Sequence, residues 1–172
     1  MSPIFRPLSA GHLDAMLVVE QAAHTYPWSR SLLADSFGER YFTGSLWLSG
    51  PGLQDKGLPE SRRQEPEQLL GYFIADRILD ESTLMNICVS PAWQGQGLGR
   101  QLMAHYLRLC EQQGLTRLWL EVRASNTSAQ ALYLSCGYTE GGRRRHYYRT
   151  DTGFEDAVLM HKVSMNKVPM NK

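Results

Sequence analysis

The chain has 172 residues, of which 42% are hydrophobic, 10% aromatic and 20% charged, the composition of one globular domain. Eighteen Lys and Arg against seventeen Asp and Glu leave a formal net charge of +1, so no overall field draws the chain to nucleic acid or to a membrane surface. No apolar run approaches the roughly 18 residues of a membrane span, and the N-terminal segment with Pro3 and Pro7 lacks the apolar stretch of a secretory signal. Cys88, Cys110 and Cys136 are odd in number and far apart, and the five histidines share no i,i+4 spacing with one another. A disulfide framework and a metal site therefore both lack support, and small reduced core cysteines of a cytoplasmic protein are expected.

Ile4-Phe5-Arg6 reads as a short strand before Pro7. Ser9 or Asp14 can open a helix whose apolar positions are Leu13, Leu17, Val18 and Ala22. Pro27-Trp28-Ser29 interrupts the chain, and Ser29 caps a second helix through Leu32, Leu33 and Phe37 that Gly38 stops. Tyr41 to Leu48 reads as a strand. Residues 49–68, rich in Pro, Gly and charge, read as a long mobile loop. Leu69–Ala75 and Ser82–Val89 form two strands joined by a turn over Asp76–Glu81, which predicts a hairpin. An amphipathic helix opens at Gly97-Leu98-Gly99, and Gly114 ends it. Leu118–Arg123 is a strand and Thr127–Cys136 a helix capped by Gly137. Two last strands begin at Tyr138 and Phe154, around the Thr150–Gly153 turn. The tail after Val163 has no periodicity and reads as disordered. Strands alternating only in part with helices predict an α/β (α+β) fold with a mixed sheet and helices on both faces.

The most informative stretch is Val89-Ser90-Pro91-Ala92-Trp93-Gln94-Gly95-Gln96-Gly97-Leu98-Gly99-Arg100. Glycines at 95, 97 and 99 between a strand and a helix let backbone N–H groups converge on an anion, and the helix adds its positive end. Arg100 in the first helical turn opposes the helix dipole unless a phosphate sits there. A P-loop would need Gly-Lys-Ser/Thr, and the dinucleotide fingerprint counted from Gly95 would need a glycine at position 100. A plain glycine-rich turn is the alternative reading.

Gln94-x-x-Gly97-x-Gly99 resembles the Gln/Arg-x-x-Gly-x-Gly/Ala signature of the GNAT superfamily of N-acetyltransferases. Further stretches are similar to the RimI-type ribosomal-protein-alanine N-acetyltransferases of bacteria. Among them are Tyr26-Pro27-Trp28-Ser29, Gly38-Glu39-Arg40-Tyr41, Asn86-Ile87-Cys88-Val89, Trp119–Asn126, Ala131-Leu132-Tyr133 and Arg144-Arg145-His146-Tyr147-Tyr148. The resemblance runs from about residue 5 to about residue 162; the 49–68 loop and the tail depart from it. It implies one GNAT domain over residues 1–163, followed by a tail at 164–172. The implied sheet has about six to seven strands, with a parallel pair, Ser82–Val89 and Arg117–Arg123, that splays apart. It also implies acetyl-CoA as co-substrate. Backbone groups of Ile87, Cys88 and Val89 would hold the acetyl and pantetheine portion, Gly95, Gln96, Gly97, Leu98, Gly99 and Arg100 the pyrophosphate, and Asn126 the CoA. No metal, membrane or direct nucleic-acid contact is implied, and a monomer is expected.

Acetyl transfer requires the amine to lose a proton and the thiolate to gain one. Glu121 is the candidate base. Leu118, Leu120 and Val122 share one strand face, which puts Glu121 on the other with Trp119 and Arg123. The alternative is a carboxylate paired with Arg123 or Arg117. Tyr133 is the candidate acid, since a phenol keeps its proton at neutral pH; the alternative is a core aromatic of an amphipathic helix. Asn126 also fits a helix N-cap. An acyl-cysteine route through Cys88 or Cys136 has no His or Lys beside either residue in the sequence.

On the acceptor side, Tyr26, Trp28, Asp80, Glu81, Tyr147, Tyr148 and Asp156 are candidates, with sheet-rim packing as the alternative for each. Arg143-Arg144-Arg145 reads as a solvated strand end rather than an RNA patch. The resemblance implies as acceptor the N-terminal alanine of the eighteenth small-subunit ribosomal protein, or similar N-termini. Acetylation of lysines, polyamines or another small amine is the second reading, and a non-catalytic acyl-CoA-binding module the third.

Overall fold

The computed structural model describes residues 3–48 and 67–164. Most of the expected 49–68 loop and the expected tail lie outside the described residues; Gln68 opens a strand, and Ser164 N–H donates to the Thr116 carbonyl at 2.7 Å.

The elements follow the expected order. They are β1 (Ile4–Arg6), α1 (Leu13–Ala23), α2 (Arg30–Ala34), β2 (Tyr41–Leu48), β3 (Gln68–Asp76), β4 (Glu81–Val89), α3 (Leu98–Gln112), β5 (Arg117–Arg123), α4 (Thr127–Ser135), β6 (Thr139–Thr150) and β7 (Gly153–Val163). The strands form a seven-stranded mixed sheet in the order β1-β2-β3-β4-β5-β7-β6. β4 and β5 pair in parallel over Glu81–Leu84 and Arg117–Leu120. Both then run on, β4 to Val89 and β5 to Arg123, and β5 keeps its antiparallel register with β7 as far as Arg123 opposite Ala157. No described helix is long and apolar enough to cross a membrane.

By backbone packing the chain divides into two compact units. Among the described residues, the first comprises 3–48, 67–74 and 87–102. Its core joins Met16 and Val19 of α1 to Leu33, Trp47, Leu69, Tyr72, Ile74 and Cys88. β3 is buried along nearly all its length, as a strand covered on both faces must be. Gly71 is there for lack of a side chain: a Cβ would lie 2.6 Å from the Cys88 carbonyl oxygen and 3.2 Å from Leu102 Cδ1. Ser29 caps α2 as expected, accepting from Leu32 N–H at 3.2 Å. α2 is shorter than expected, because a 3-10 turn takes over at Asp35–Phe37 before Gly38.

α1 meets the expectation in part: Leu13 and Leu17 pack against the core. Val18 is 68% exposed and Ala22 exposed, while Met16, Val19 and Glu20 are buried. The buried face of the helix thus includes a carboxylate, Glu20, and leaves Val18 outside.

Among the described residues, the second unit comprises 75–86 and 103–164. The expected hairpin turn is closed by reciprocal Ile78 and Glu81 backbone bonds at 2.9 Å, with Leu79 in the left-handed region. Leu118, Leu120 and Val122 face the core, as their alternation predicts. On α3, Met103, Tyr106 and Cys110 are buried, and the Tyr106 hydroxyl donates to Ser82 Oγ at 3.0 Å. α4 ends on Gly137 at φ +91°, with Cys136 as its cap. All three cysteines are free.

Candidate active site

The first unit carries the glycine-rich segment. After β4, a 3-10 turn at Pro91–Trp93 leads into Gln94, whose side-chain amide donates back to the Val89 carbonyl at 3.0 Å. Gly95 and Gly97 stand at φ +76° and +80°, with nothing within 4 Å of where a Cβ would be. Glycine is needed there for the backbone turn, not for space. Leu98 anchors the start of α3 in the core, while Gln96, Gly97 and Arg100 remain exposed. The early N–H groups of α3 have no intrahelical acceptor. The segment is thus a solvent-facing cradle of donors with a cation beside it, suited to a pyrophosphate.

At the end of β4 the side chains alternate, with Ile87 and Val89 half-buried and Cys88 buried. The Cys88 thiol lies 3.8 Å from Glu20 Oε2. Burial first, and then the charge of Glu20, push its pKa well above the usual thiol range. It stays protonated, which removes Cys88 as a nucleophile and leaves only its backbone for a ligand.

Glu20, His24 and Cys88 place potential ligand atoms within 4.8 Å of one another, a grouping hidden when only His–His spacings are inspected. The Glu20 oxygens, however, already accept from Trp28 N–H at 2.9 Å and from the Tyr72 hydroxyl at 2.5 Å. His24 Nε2 lies 3.8 Å from Glu20 Oε2 and has no hydrogen-bond partner of its own among the described residues.

The second unit carries the titratable groups. Glu121 projects from the face of β5 opposite its buried leucines. Its partner is neither Arg117, which pairs with Glu81, nor Arg123, which pairs with Glu155 at 2.9 Å. Arg144 Nε lies 2.9 Å from Glu121 Oε1, with side-chain exposures of 55% and 25% respectively. Glu121 is also the first cause of the raised pKa of Tyr147, through its charge, with burial second.

This grouping depends on an irregularity in β6. Arg144 opposes Ala157 and Tyr148 opposes Glu155, so Arg145, His146 and Tyr147 together face only Asp156. His146 takes φ +53° at the crest, and its N–H donates to Asp156 Oδ1 at 3.1 Å. Asp156 thereby holds the bulge that presents Tyr147 and Tyr148. Asp80, another acceptor candidate, accepts from Thr116 through both backbone and side chain.

Tyr133, on α4, is 6% exposed, and its ring centroid lies 6.2 Å from that of Tyr138. Burial raises its pKa above the ordinary tyrosine value, with Tyr148 and Cys136 adding to the effect. Tyr148 is pushed up to about 12, by burial first and then by Glu121. Asn126 caps α4 through its oxygen, accepting from Ala129 N–H at 3.1 Å, which directs its amide donors elsewhere. Arg143 pairs with Glu140 at 3.0 Å, so two of the three consecutive arginines are matched by carboxylates.

Residues 15–138 match the acetyltransferase (GNAT) family, and the chain belongs to that family of N-acetyltransferases. It is 41% identical over 153 residues to the ribosomal protein bS18-alanine N-acetyltransferase of Escherichia coli K12, across 89% of this chain and 92% of that protein. The Haemophilus influenzae protein of the same name is 35% identical over 158 residues, 91% of this chain and 96% of its own. The crystal structure of the E. coli ribosomal-protein-S18-alanine N-acetyltransferase superposes with a TM-score of 0.84 at 38% identity, covering 99% of this chain and all of the other.

Proposed function

We propose that this enzyme transfers the acetyl group of acetyl-CoA directly to the α-amine of an N-terminal alanine, with ribosomal protein bS18 or a protein of similar N-terminus as acceptor. The observation that carries the reading is identity of 41% to the E. coli bS18-alanine enzyme over nearly the whole of both chains. The local chemistry supports it.

In this reading the donors of Gly95–Arg100 bind the pyrophosphate, Asn126 the CoA, and the backbone of Ile87–Val89 the pantetheine arm and acetyl carbonyl. A backbone N–H fixed by the sheet stabilises the oxyanion that forms when the amine nitrogen adds to the thioester carbon. Glu121 accepts the proton the amine gives up. As the C–S bond breaks, Tyr133 donates its hydroxyl proton to the departing thiolate, and acetylated amine and free CoA result. An α-amine has a reference pKa of about 8, against about 10.4 for lysine, so a carboxylate base suffices. Arg144 holds Glu121 through an exposed side chain that can turn aside for the acceptor, and the exposed Tyr147 stands on the same bulge. The domain doing this work is residues 1–163.

The test is intact-mass spectrometry of two peptides incubated with enzyme and acetyl-CoA. One begins Ala-Arg with a free amine and carries an internal lysine; the other is the same peptide with a blocked N-terminus. A single acetyl on the free-amine peptide alone is expected. Acetyl on the blocked peptide would move the acceptor to lysine. No transfer to either, with CoA still bound, would favour a binding module.

A further inference from the structure

Glu20 has 0% exposure, yet nothing in the chemistry above uses it. Burying a carboxylate costs several kcal/mol unless each oxygen is matched, and an apolar residue of similar size would often be more stable there. Glu20 is matched by donors from separate segments. Its Oε1 accepts Trp28 N–H at 2.9 Å, and its Oε2 accepts the Tyr72 hydroxyl at 2.5 Å, with Cys88 Sγ at 3.8 Å. Burial, then Cys88 and Glu20, push the Tyr72 pKa far up, so this donor keeps its proton. A carboxylate is the one side chain that accepts at two oxygens while donating nothing.

The three donors are held unequally. Tyr72 belongs to β3 and Cys88 to β4, both fixed by the sheet. Trp28 lies in the irregular segment between α1 and α2, where residues 24–29 have neither helical nor strand structure. That segment presents Tyr26, 38% exposed, and a half-buried Trp28. Through Glu20 it is tied to the strand that carries Ile87 and Val89.

We propose that Glu20 is a positioning residue for the acceptor: it locks the 24–29 segment to the acetyl-bearing strand, so that Tyr26 and Trp28 meet the acceptor peptide in fixed register with the acetyl group. This rests on the reading of the enzyme as a peptide Nα-acetyltransferase. Removing the carboxylate charge frees the segment and leaves the strand in its sheet. The loss therefore appears in acceptor binding and not in acetyl-CoA binding.

The experiment compares wild type with Glu20→Gln and Tyr72→Phe, using the Ala-Arg peptide and acetyl-CoA with the full chain. Glu20→Gln raises the peptide KM about tenfold, in keeping with the loss of charge assistance at Trp28 N–H and of one acceptor oxygen, while kcat stays within about threefold and the acetyl-CoA Kd is unchanged. Tyr72→Phe, which leaves the Trp28 bond in place, moves KM the same way by less. Hydrogen–deuterium exchange of the free enzyme, which needs no acceptor, speeds up at 24–29 in Glu20→Gln and not at 81–89. Should Glu20→Gln not fold, Tyr72→Phe carries both measurements. Unchanged KM and exchange in a folded variant overturn the proposal. So does a proportional loss of kcat with both substrates, the mark of a purely structural role. Failure of wild type to acetylate the peptide overturns the functional reading instead, and the exchange measurement still judges the lock.

Discussion

Glu20 and Glu121 sit on regular elements of two different units, and each meets a tyrosine and at least one further donor. Glu20 is sealed, its neighbours Tyr72 and Cys88 are buried, and its two oxygens accept from Trp28 N–H and the Tyr72 hydroxyl. Glu121 is a quarter exposed and is met by Arg144 and Tyr147, both standing on a solvent-facing bulge. A carboxylate wrapped in buried neutral donors fixes backbone. A carboxylate held by exposed donors can exchange them for a substrate. The difference lies in what surrounds the two acids, not in their own chemistry.

The largest effect that would sharpen this contrast is on catalysis. Glu121→Gln keeps the shape of β5 and removes the base, so kcat/KM falls by about 10²–10⁴-fold. The melting temperature barely moves, because the ion pair lost reaches solvent on its Arg144 side. Steady-state kinetics and a thermal melt on the same sample check both halves. Activity within tenfold of wild type would remove Glu121 from the mechanism.

Alkaline pH separates the two acids next. Unfolded tyrosines lose their protons near pH 10. Burial raises the folded values of Tyr72, Tyr106, Tyr133 and Tyr138 above that. Above pH 10 the unfolded chain therefore binds fewer protons than the folded one. Their contribution to stability is complete below about pH 10 and declines at about 1.4 kcal/mol per pH unit for each fully shifted tyrosine. Cys110, pushed up to about 11 by burial, acts with the same sign from about pH 9. Denaturant melts should thus hold steady through pH 8 and weaken steeply beyond pH 10. Tyr147, exposed beside Glu121, should ionise without unfolding, visible as phenolate absorbance lost in Tyr147→Phe.

Gly71→Ala tests the rigid side alone. The added methyl meets the Cys88 carbonyl, which belongs to a packed strand and cannot swing away. Overpacking of this kind costs about 1–3 kcal/mol, read as a lowered urea midpoint. An unshifted midpoint would mean that the strand next to Glu20 yields, and the contrast with Glu121 would weaken.

Much of this was legible from residue types alone. Gly95 and Gly97 announce left-handed backbone, Ser29 and Asn126 their caps, and the alternation of β5 the face of Glu121. Periodicity placed Leu13 and Leu17 of α1 correctly but missed Glu20, because it scores every carboxylate as solvent-facing, whereas Glu20 is buried by partners distant in sequence. The link from Arg144 to Glu121 was hidden for another reason. It follows from a register shift in β6, and strand pairing with two extra residues on one side leaves no local pattern. Gly71 did carry a signal, since a lone glycine within an apolar strand often marks a close backbone approach.

The smallest effect concerns Arg144. Its guanidinium occupies Glu121 and lies 5.5 Å from the centroid of the Tyr147 ring. An acceptor amine arriving as an ammonium must compete with it before giving up its proton. Exposed ion pairs of this kind are worth about 0.2–1 kcal/mol, so Arg144→Gln should lower the peptide KM by only about two- to fivefold. The gain should be present at low ionic strength and fade as salt screens the pair. Stability should hold, because the bulge is fixed by the bond from His146 N–H to Asp156 and not by Arg144. A peptide KM that ignores both the substitution and the salt would mean that acceptor and Arg144 never share Glu121. The exchangeable character assigned to this carboxylate would then have to rest on Tyr147 alone.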